Sequence, residues 1–482
     1  MNTQYHERNI SMVMDMYELT MSNGYLNQGF KDTWVAFDVF YRNNPDNGGF
    51  AIFAGLQQVV EYIENLHFSE EDVEYLRSKR LFTEEFLEYL LHFRFRGDIY
   101  AMKEGTVMYP NEPVITVVAP LIDAQLIETT ILLEINHQSL IATKTNRIVQ
   151  AANGKPVSDF GARRAHNVDA AVYGARAAYI GGAAGTATVL AGKMFHIPIS
   201  GTMAHSWVMT FDSEYDAFKA YAESYPDGTV LLVDTYDVLK SGVPNAIRTA
   251  REVLEPMGKK LIGIRLDSGD LAYLSKEARK MLDEAGLPDC MIVASNSLDE
   301  YTISSLNRQG AKIDSYGVGE RLITSSSTPV FGAVYKLVAI QKDGKFIPKI
   351  KISETAEKIT NPGIKEVYRV YDENGKAVAD YLAVKGEQIR DFEPVRYVDP
   401  VNYWKNRSFV GCRFKKLQVP IFEKGKRIYD LPDIEEIRQY VKDQLENEIW
   451  EEEQRFENAH THYLDMSPAM FELKMSLLHE EN

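Results

Sequence analysis

The chain has 482 residues, 45% hydrophobic and 25% charged, with a formal charge of −16. That length exceeds one ordinary hydrophobic core and implies a globular protein of two or three domains. The acidic balance argues against nucleic acid, whose phosphates need a basic face, and no apolar run approaches the ~18 residues of a membrane helix. A small anionic substrate stays compatible, since it needs only a local cluster of Arg, Lys and backbone N–H groups. The start, MNTQYHERNISMVMDMYELT, lacks the basic-then-apolar secretory pattern. Cys290 and Cys412 lie 122 positions apart, in no metal-holding spacing. A reduced, cytoplasmic protein is the expectation.

Residues 1–150 mix helical periods and short strands. MVMDMYELTMSNGYLNQ has apolar residues at helical spacing, and GFAIFAGLQQVVEYIENL is a strand or turn entering an amphipathic helix. GDIYAMKEGTVMYPNEPVITVVAP predicts short strands punctuated by Gly and Pro, and LIDAQLIETTILLEINHQSLIATKTNRIVQAA a helical run.

The second region, 151–332, holds six segments predicted as strands that run into polar residues: PVSDFGARRAH, IPISGTMAHS, TVLLVDTYD, KLIGIRLDSGD, CMIVASNSLDE and AKIDSYGVGE. Amphipathic stretches such as NAIRTAREVLEPMGK and YLSKEARKMLDEAG separate them. With Leu231, Ile262 and Ile292 as strand markers, the intervals are 31 and 30 residues, the length of a βα unit. The spacing predicts a parallel sheet, open or closed into a barrel, with ligands at the carboxyl ends of the strands. Within GTMAHSWVMTFDSEYDAF, His205 sits beside Trp207 and two Met residues, which is compatible with core packing. Gly201, Thr202, Ala204 and Ser206 instead leave space and hydroxyls around it, as at a strand end open to a ligand.

Residues 333–482 change pattern again. VYKLVAIQKDGKFIPKIKIS and VYRVYDENGKAVADYLAV predict two β-hairpins with DG and NG turns. DIEEIRQYVKDQLENEIWEEEQRF predicts a long acidic helix whose charges form a solvated face. His460 and His462 could share a metal on a strand, but no third ligand is in view.

Glycine placement in the second region suggests phosphate. Gly317 to Gly319 follow an apolar strand, and GGAAGT at 181–186 offers a turn opening a helix. There is no Walker A motif: Gly185 and Gly192-Lys193 have the wrong spacing, and Met194 replaces the required Ser or Thr. The G-x-G-x-x-G pattern fails as well. Cations that could face an anion are Arg163, Arg164 and Arg265. Arg265, at a strand end, either meets an anion or pairs with Asp267 or Asp270. The carboxylates Asp159, Asp234, Asp237, Asp267 and Glu320 suit Mg²⁺ held jointly with substrate phosphates.

DMYELTM, SDFGARRAH, GTMAHSW, LLVDTYD, GIRLDSGD and the GVG turn, in that order, resemble the nicotinate phosphoribosyltransferase family over nearly the whole chain. The resemblance implies an irregular, incomplete α/β barrel of type II phosphoribosyltransferases. An additional α/β N-terminal domain and a C-terminal β-hairpin/helix region would accompany it, usually in a homodimer. It also implies ATP-coupled joining of nicotinate to phosphoribosyl pyrophosphate, giving nicotinate mononucleotide and pyrophosphate in NAD salvage, with ATP and Mg²⁺ required. His205 corresponds to the family's phosphorylated histidine. Tyr17, Phe160, Arg163, Thr202 and Arg265 would lie at nicotinate, and Asp267, Ser268, Gly317, Gly319 and Glu320 at phosphoribosyl pyrophosphate. Some relatives carry Thr where Glu320 stands, and a carboxylate cannot donate to phosphate as Thr can. The resemblance assigns neither the metal ligands nor the group that orients His205. Three other readings stay open. A relative using nicotinamide would not need Arg265. An aldolase-like lyase would need a Schiff-base Lys that these strand ends lack. A sugar-phosphate-binding module would leave His205 unexplained.

Overall fold

A computed structural model describes residues 8–355, 358–404 and 406–480. The chain divides into two compact units, Met1–Leu140 with Val330–Asn482, and Ile141–Pro329. The first change of unit falls inside one continuous helix, Glu128–Ala151, so no linker marks it.

The inner unit is built on a six-stranded sheet. Its strands run in the order Gly185–Thr186, Val157–Asp159, Ser315–Val318, Met291–Ser295, Gly263–Leu266, Val230–Leu232. Every pairing in it is parallel. The register sets Leu231 beside Ile264, and Ile264 beside Ile292, so the middle marker is Ile264 rather than Ile262. All three are fully buried, as strands covered by helices require. The helices begin where polar residues follow the strands. Asn167, Asp270 and Asp299 accept backbone N–H bonds from Ala170, Tyr273 and Thr302, capping helices Val168–Ile180, Leu271–Glu284 and Glu300–Arg308.

One expected strand is missing among the described residues. IPIS makes only a parallel bridge from Ile199 to Thr186, with Thr186 donating to the Pro198 carbonyl at 3.0 Å and Ser200 to the Thr186 carbonyl at 2.9 Å. Gly185 and Thr186 take the ladder position instead, although GGAAGT suggested only a turn opening a helix; that helix starts later, at Val189. A Cβ at Gly185 would lie 2.5 Å from the Pro198 carbonyl oxygen, so only glycine admits this approach.

The outer unit carries a seven-stranded antiparallel sheet in which Trp34–Phe40 lies between Val334–Lys342 and Ile115–Pro120. The DG hairpin forms as expected: Val334–Lys342 pairs with Lys345–Pro348 across Asp343 and Gly344, both at positive φ. The second hairpin, Lys365–Tyr371 with Ala377–Val384, opens another six-stranded sheet. The acidic helix is shorter than its sequence suggests. It spans Ile434–Asp443, continues as a π turn over Gln444–Glu448 and ends as Ile449 turns extended. Its charges are not all solvated. Glu453, beyond the helix, is buried, accepting from the Tyr109 hydroxyl at 2.6 Å and meeting His462 Nδ1 at 3.0 Å.

Candidate active site

The carboxyl ends of three neighbouring strands, 230–232, 263–266 and 291–295, bring the polar clusters together. Arg265 is the hub. Its Nε donates to Ser295 Oγ at 3.0 Å, and Nη1 to Thr202 Oγ1 at 2.9 Å and the Met203 carbonyl at 3.3 Å. Its Nη2 donates to Asp267 Oδ1 at 3.0 Å. The Arg265–Asp267 pair forms, whereas Asp270 spends its carboxylate on the helix cap. Four of its five N–H groups are thus committed, and one on Nη2 is left for a substrate carboxylate.

His205 does not end a strand. It opens the short helix His205–Met209, whose buried residue is Val208. Its Nδ1 lies 3.0 Å from Thr235 Oγ1, and its Nε2 faces Asp234 Oδ1 at 4.0 Å and Asp267 Oδ2 at 3.9 Å. The imidazole is 41% exposed, so it is no core plug. Asp234 ties the next loop in place, its Oδ2 accepting from Asp267 N–H at 2.9 Å and Ser268 Oγ at 2.6 Å. Its Oδ1, buried and without a hydrogen bond, is the oxygen turned to His205.

Phe160 joins this group from the 157–159 strand, with the Arg265 guanidinium 5.8 Å from its ring centroid. Gly317 has a structural reason beside any phosphate role, because a Cβ there would meet the Phe160 ring at 2.2 Å. A Cβ at Gly319 would stand 3.2 Å from the Phe160 carbonyl oxygen. Arg163 and Arg164 lie exposed in a single 3₁₀ turn, and Arg164 Nε sits 3.7 Å from Glu320 Oε2 across two exposed side chains.

Two expected rim carboxylates have other work. Asp159 is buried, binding the Gly161 N–H at 2.8 Å and the Thr186 hydroxyl at 2.7 Å, and burial raises its pKa. Asp237 caps the following turn, and the Lys240 and Leu239 N–H groups hold its carboxyl below the usual range. Among the described residues no group of three or more His, Cys, Asp or Glu could hold a metal ion. His460 and His462 do not converge either: His460 is exposed, while His462 is buried and stacked on Tyr109 with centroids 3.7 Å apart.

In the outer unit, Tyr17 is exposed on the helix Met16–Asn27, with the Glu128 carboxylate near its hydroxyl. Burial raises Tyr17 well above the ordinary tyrosine range, and Glu128 adds to the effect. The neighbouring Glu18 is pushed up to about 7 by burial, although it accepts from the Thr129 hydroxyl and the Asp15 N–H. Sequence reasoning missed Thr235 and Ser295. Both follow strands in quoted clusters, and that position at a strand end was the signal available.

A parallel sheet whose strand ends gather an arginine, an imidazole and paired carboxylates defines an α/β-barrel enzyme site. The chain matches the nicotinate phosphoribosyltransferase N-terminal domain over residues 12–136, the nicotinate phosphoribosyltransferase family over 156–374 and its C-terminal domain over 364–474. It is 46% identical to nicotinate phosphoribosyltransferase of Bacillus subtilis over 99% of this chain and 96% of that protein. It is 35% identical to the Dictyostelium discoideum enzyme of that name, over 96% of this chain and 87% of the other. The crystal structure of human nicotinic acid phosphoribosyltransferase superposes with a TM-score of 0.86 at 27% identity, covering 96% of this chain and 99% of that one. The fold is the irregular α/β barrel of type II phosphoribosyltransferases with added N- and C-terminal regions. The chain belongs to the nicotinate phosphoribosyltransferase family.

Proposed function

We propose that this protein joins nicotinate to phosphoribosyl pyrophosphate, giving nicotinate mononucleotide and pyrophosphate in NAD salvage. In this reading ATP phosphorylates His205 and its hydrolysis drives the synthesis. The observation that carries the reading is the convergence of His205, Arg265, Asp234 and Asp267 at adjoining strand ends. Imidazole with one nitrogen held and the other open is a competent nucleophile toward a γ-phosphoryl group. The P–N bond forms as the bond to ADP breaks, and ADP leaves with the electron pair. Arg265 and Thr202 would contact the nicotinate carboxylate, with Phe160 against the ring. Asp267, Ser268 and the 317–320 turn would lie at the phosphoribosyl diphosphate. The described residues do not fit a resident metal, so Mg²⁺ would arrive with the substrate phosphates, which need only one or two protein carboxylates. The protein would act as a homodimer, with Tyr17 of one copy completing the barrel site of the other.

The test is incubation with nicotinate and phosphoribosyl pyrophosphate, with and without ATP, measuring nicotinate mononucleotide. Absence of product under both conditions refutes the activity, and equal yield with and without ATP refutes the coupling. A nicotinamide arm belongs in the same assay, because the Arg265–Asp267 pair leaves the hub partly neutralised and so favours a neutral amide as the second reading.

A further inference from the structure

We propose that Thr235 is the residue that positions His205: its hydroxyl holds the Nδ1 proton and leaves the free lone pair on Nε2. Thr235 follows the 230–232 strand directly after Asp234, and its Oγ1 lies 3.0 Å from His205 Nδ1. Among the described residues it is the imidazole's one hydrogen-bond contact. The carboxylates facing Nε2 stand at 4.0 and 3.9 Å, beyond hydrogen-bond distance. A proton on Nε2 would draw the ring toward Asp234 or Asp267 into a charge-assisted bond near ~2.8 Å. The ring is instead seated against the hydroxyl, the contact expected when Nδ1–H donates to Thr235 Oγ1. The Nε2 edge then stays free to attack, with the Asp234 and Asp267 carboxylates 4.0 and 3.9 Å from it. A threonine suits the task better than a carboxylate would. It fixes the tautomer without placing a third negative charge beside an incoming phosphoryl group.

As regards phosphoryl transfer the proposal rests on the reading above, so its test begins without ATP. Tautomers are read by ¹⁵N–¹H correlation in histidine-labelled full-length protein, with His205 assigned by its loss in His205→Ala. The Nδ1–H form is expected in wild type and Thr235→Ser, and the Nε2–H form or a mixture in Thr235→Val. An Nε2–H wild type, or a Thr235→Val spectrum unchanged from wild type, overturns the proposal whatever ATP does. Circular dichroism verifies that each variant is folded, and Thr235→Ala replaces Thr235→Val if the latter is not. With γ-labelled ATP, the phosphoryl group is expected on Nε2. The labelling rate should fall by about 10- to 100-fold in Thr235→Val, the range for partners that orient a histidine ring, and recover in Thr235→Ser. Label on Nδ1 also overturns the proposal. An Nδ1–H tautomer in a protein that takes no label refutes the phosphohistidine reading and leaves the positioning role measured.

Discussion

Removing the Arg265 side chain separates two roles, the fold contacts that the structure gives it and the nicotinate contact that the proposed function assigns to it. Arg265→Ala deletes bonds to Ser295, Thr202, the Met203 carbonyl and Asp267. The arginine is 14% exposed and its carboxylate partner 29%, so Asp267 keeps some solvent and the ion pair is worth less than a fully buried one. A loss of about 2–3 kcal/mol follows from the charge-assisted bond to Asp267 and the bonds to Thr202 and Ser295, whose hydroxyl keeps its own bond to Asp267. For a unit of this size that lowers the melting temperature by about 5–10 °C. A fallen melting temperature is therefore expected in either case and cannot by itself decide the substrate role. The difference between acid and amide does. A carboxylate bonded to guanidinium gains about 1.5–3 kcal/mol that a neutral amide forgoes, so kcat/KM for nicotinate should drop roughly 10- to 150-fold more than for nicotinamide. Arg265→Lys should recover only part of this, since an ammonium cannot reach Ser295, Thr202 and Asp267 from one plane. The assay is steady-state turnover of both substrates at a temperature well below the variant's melting point. An equal loss for acid and amide would remove Arg265 from the nicotinate site.

His205→Ala should abolish acid-labile label from γ-labelled ATP while barely moving the melting temperature, since a half-exposed ring with one hydrogen bond adds little to the fold; persistent label would move the nucleophile elsewhere. Gly317→Ala should cost about 1–3 kcal/mol in chemical denaturation and raise the nicotinate KM, because its Cβ must push the Phe160 ring aside; unchanged values would mean the ring yields freely. Burial disfavours a charged His462, but Asp380 and Glu453 outweigh it and raise its pKa, so its stabilisation is complete below about 6.5 and lost as pH climbs through the folded-state value. Urea resistance of the outer unit should thus decline above neutrality, and His462→Gln should flatten that decline; an identical slope in the variant refutes the assignment. Mixing Tyr17→Ala with His205→Ala subunits should restore activity through hybrid dimers, and no recovery after verified subunit exchange would count against a shared site.

The βα spacing was legible because strands such as 291–295, with Ile292, Ala294 and Ser295 buried, read as short apolar runs, several of them followed by a capping Asp or Asn. The chemistry at their ends was legible by residue type and not by partner. His205 finds Thr235, and Arg265 finds Ser295, each 30 positions away, and no local pattern encodes a contact set by sheet register. IPIS misled because apolar character alone cannot say which of two neighbouring segments takes a ladder position; the fit of Gly185 against Pro198 decided it. Glu453 looked like one more solvated charge, since its partner Tyr109 lies 344 positions earlier and only the fold brings them together. The capping role of Asp237 was written in the sequence as an Asp before a helical stretch, yet its place among rim carboxylates hid it.

An interior strand of the outer sheet, Trp34–Phe40, sets a schedule for synthesis. Val35 pairs with Ala119 on one side and with Ile340 on the other, and the whole inner unit is encoded between these two partners. On a ribosome the strand 34–40 therefore acquires its first neighbour early and waits for its second. At roughly 5–20 residues per second, the delay is on the order of 10–45 s. During that interval an almost wholly buried strand shows an unpaired edge, the kind of surface that recruits other chains. The inner unit, encoded in one continuous stretch, has every strand of its own sheet before that wait ends. Nascent chains stalled before residue 334 should accordingly be the aggregating species, and the hairpin that closes the edge is the step that releases a soluble protein.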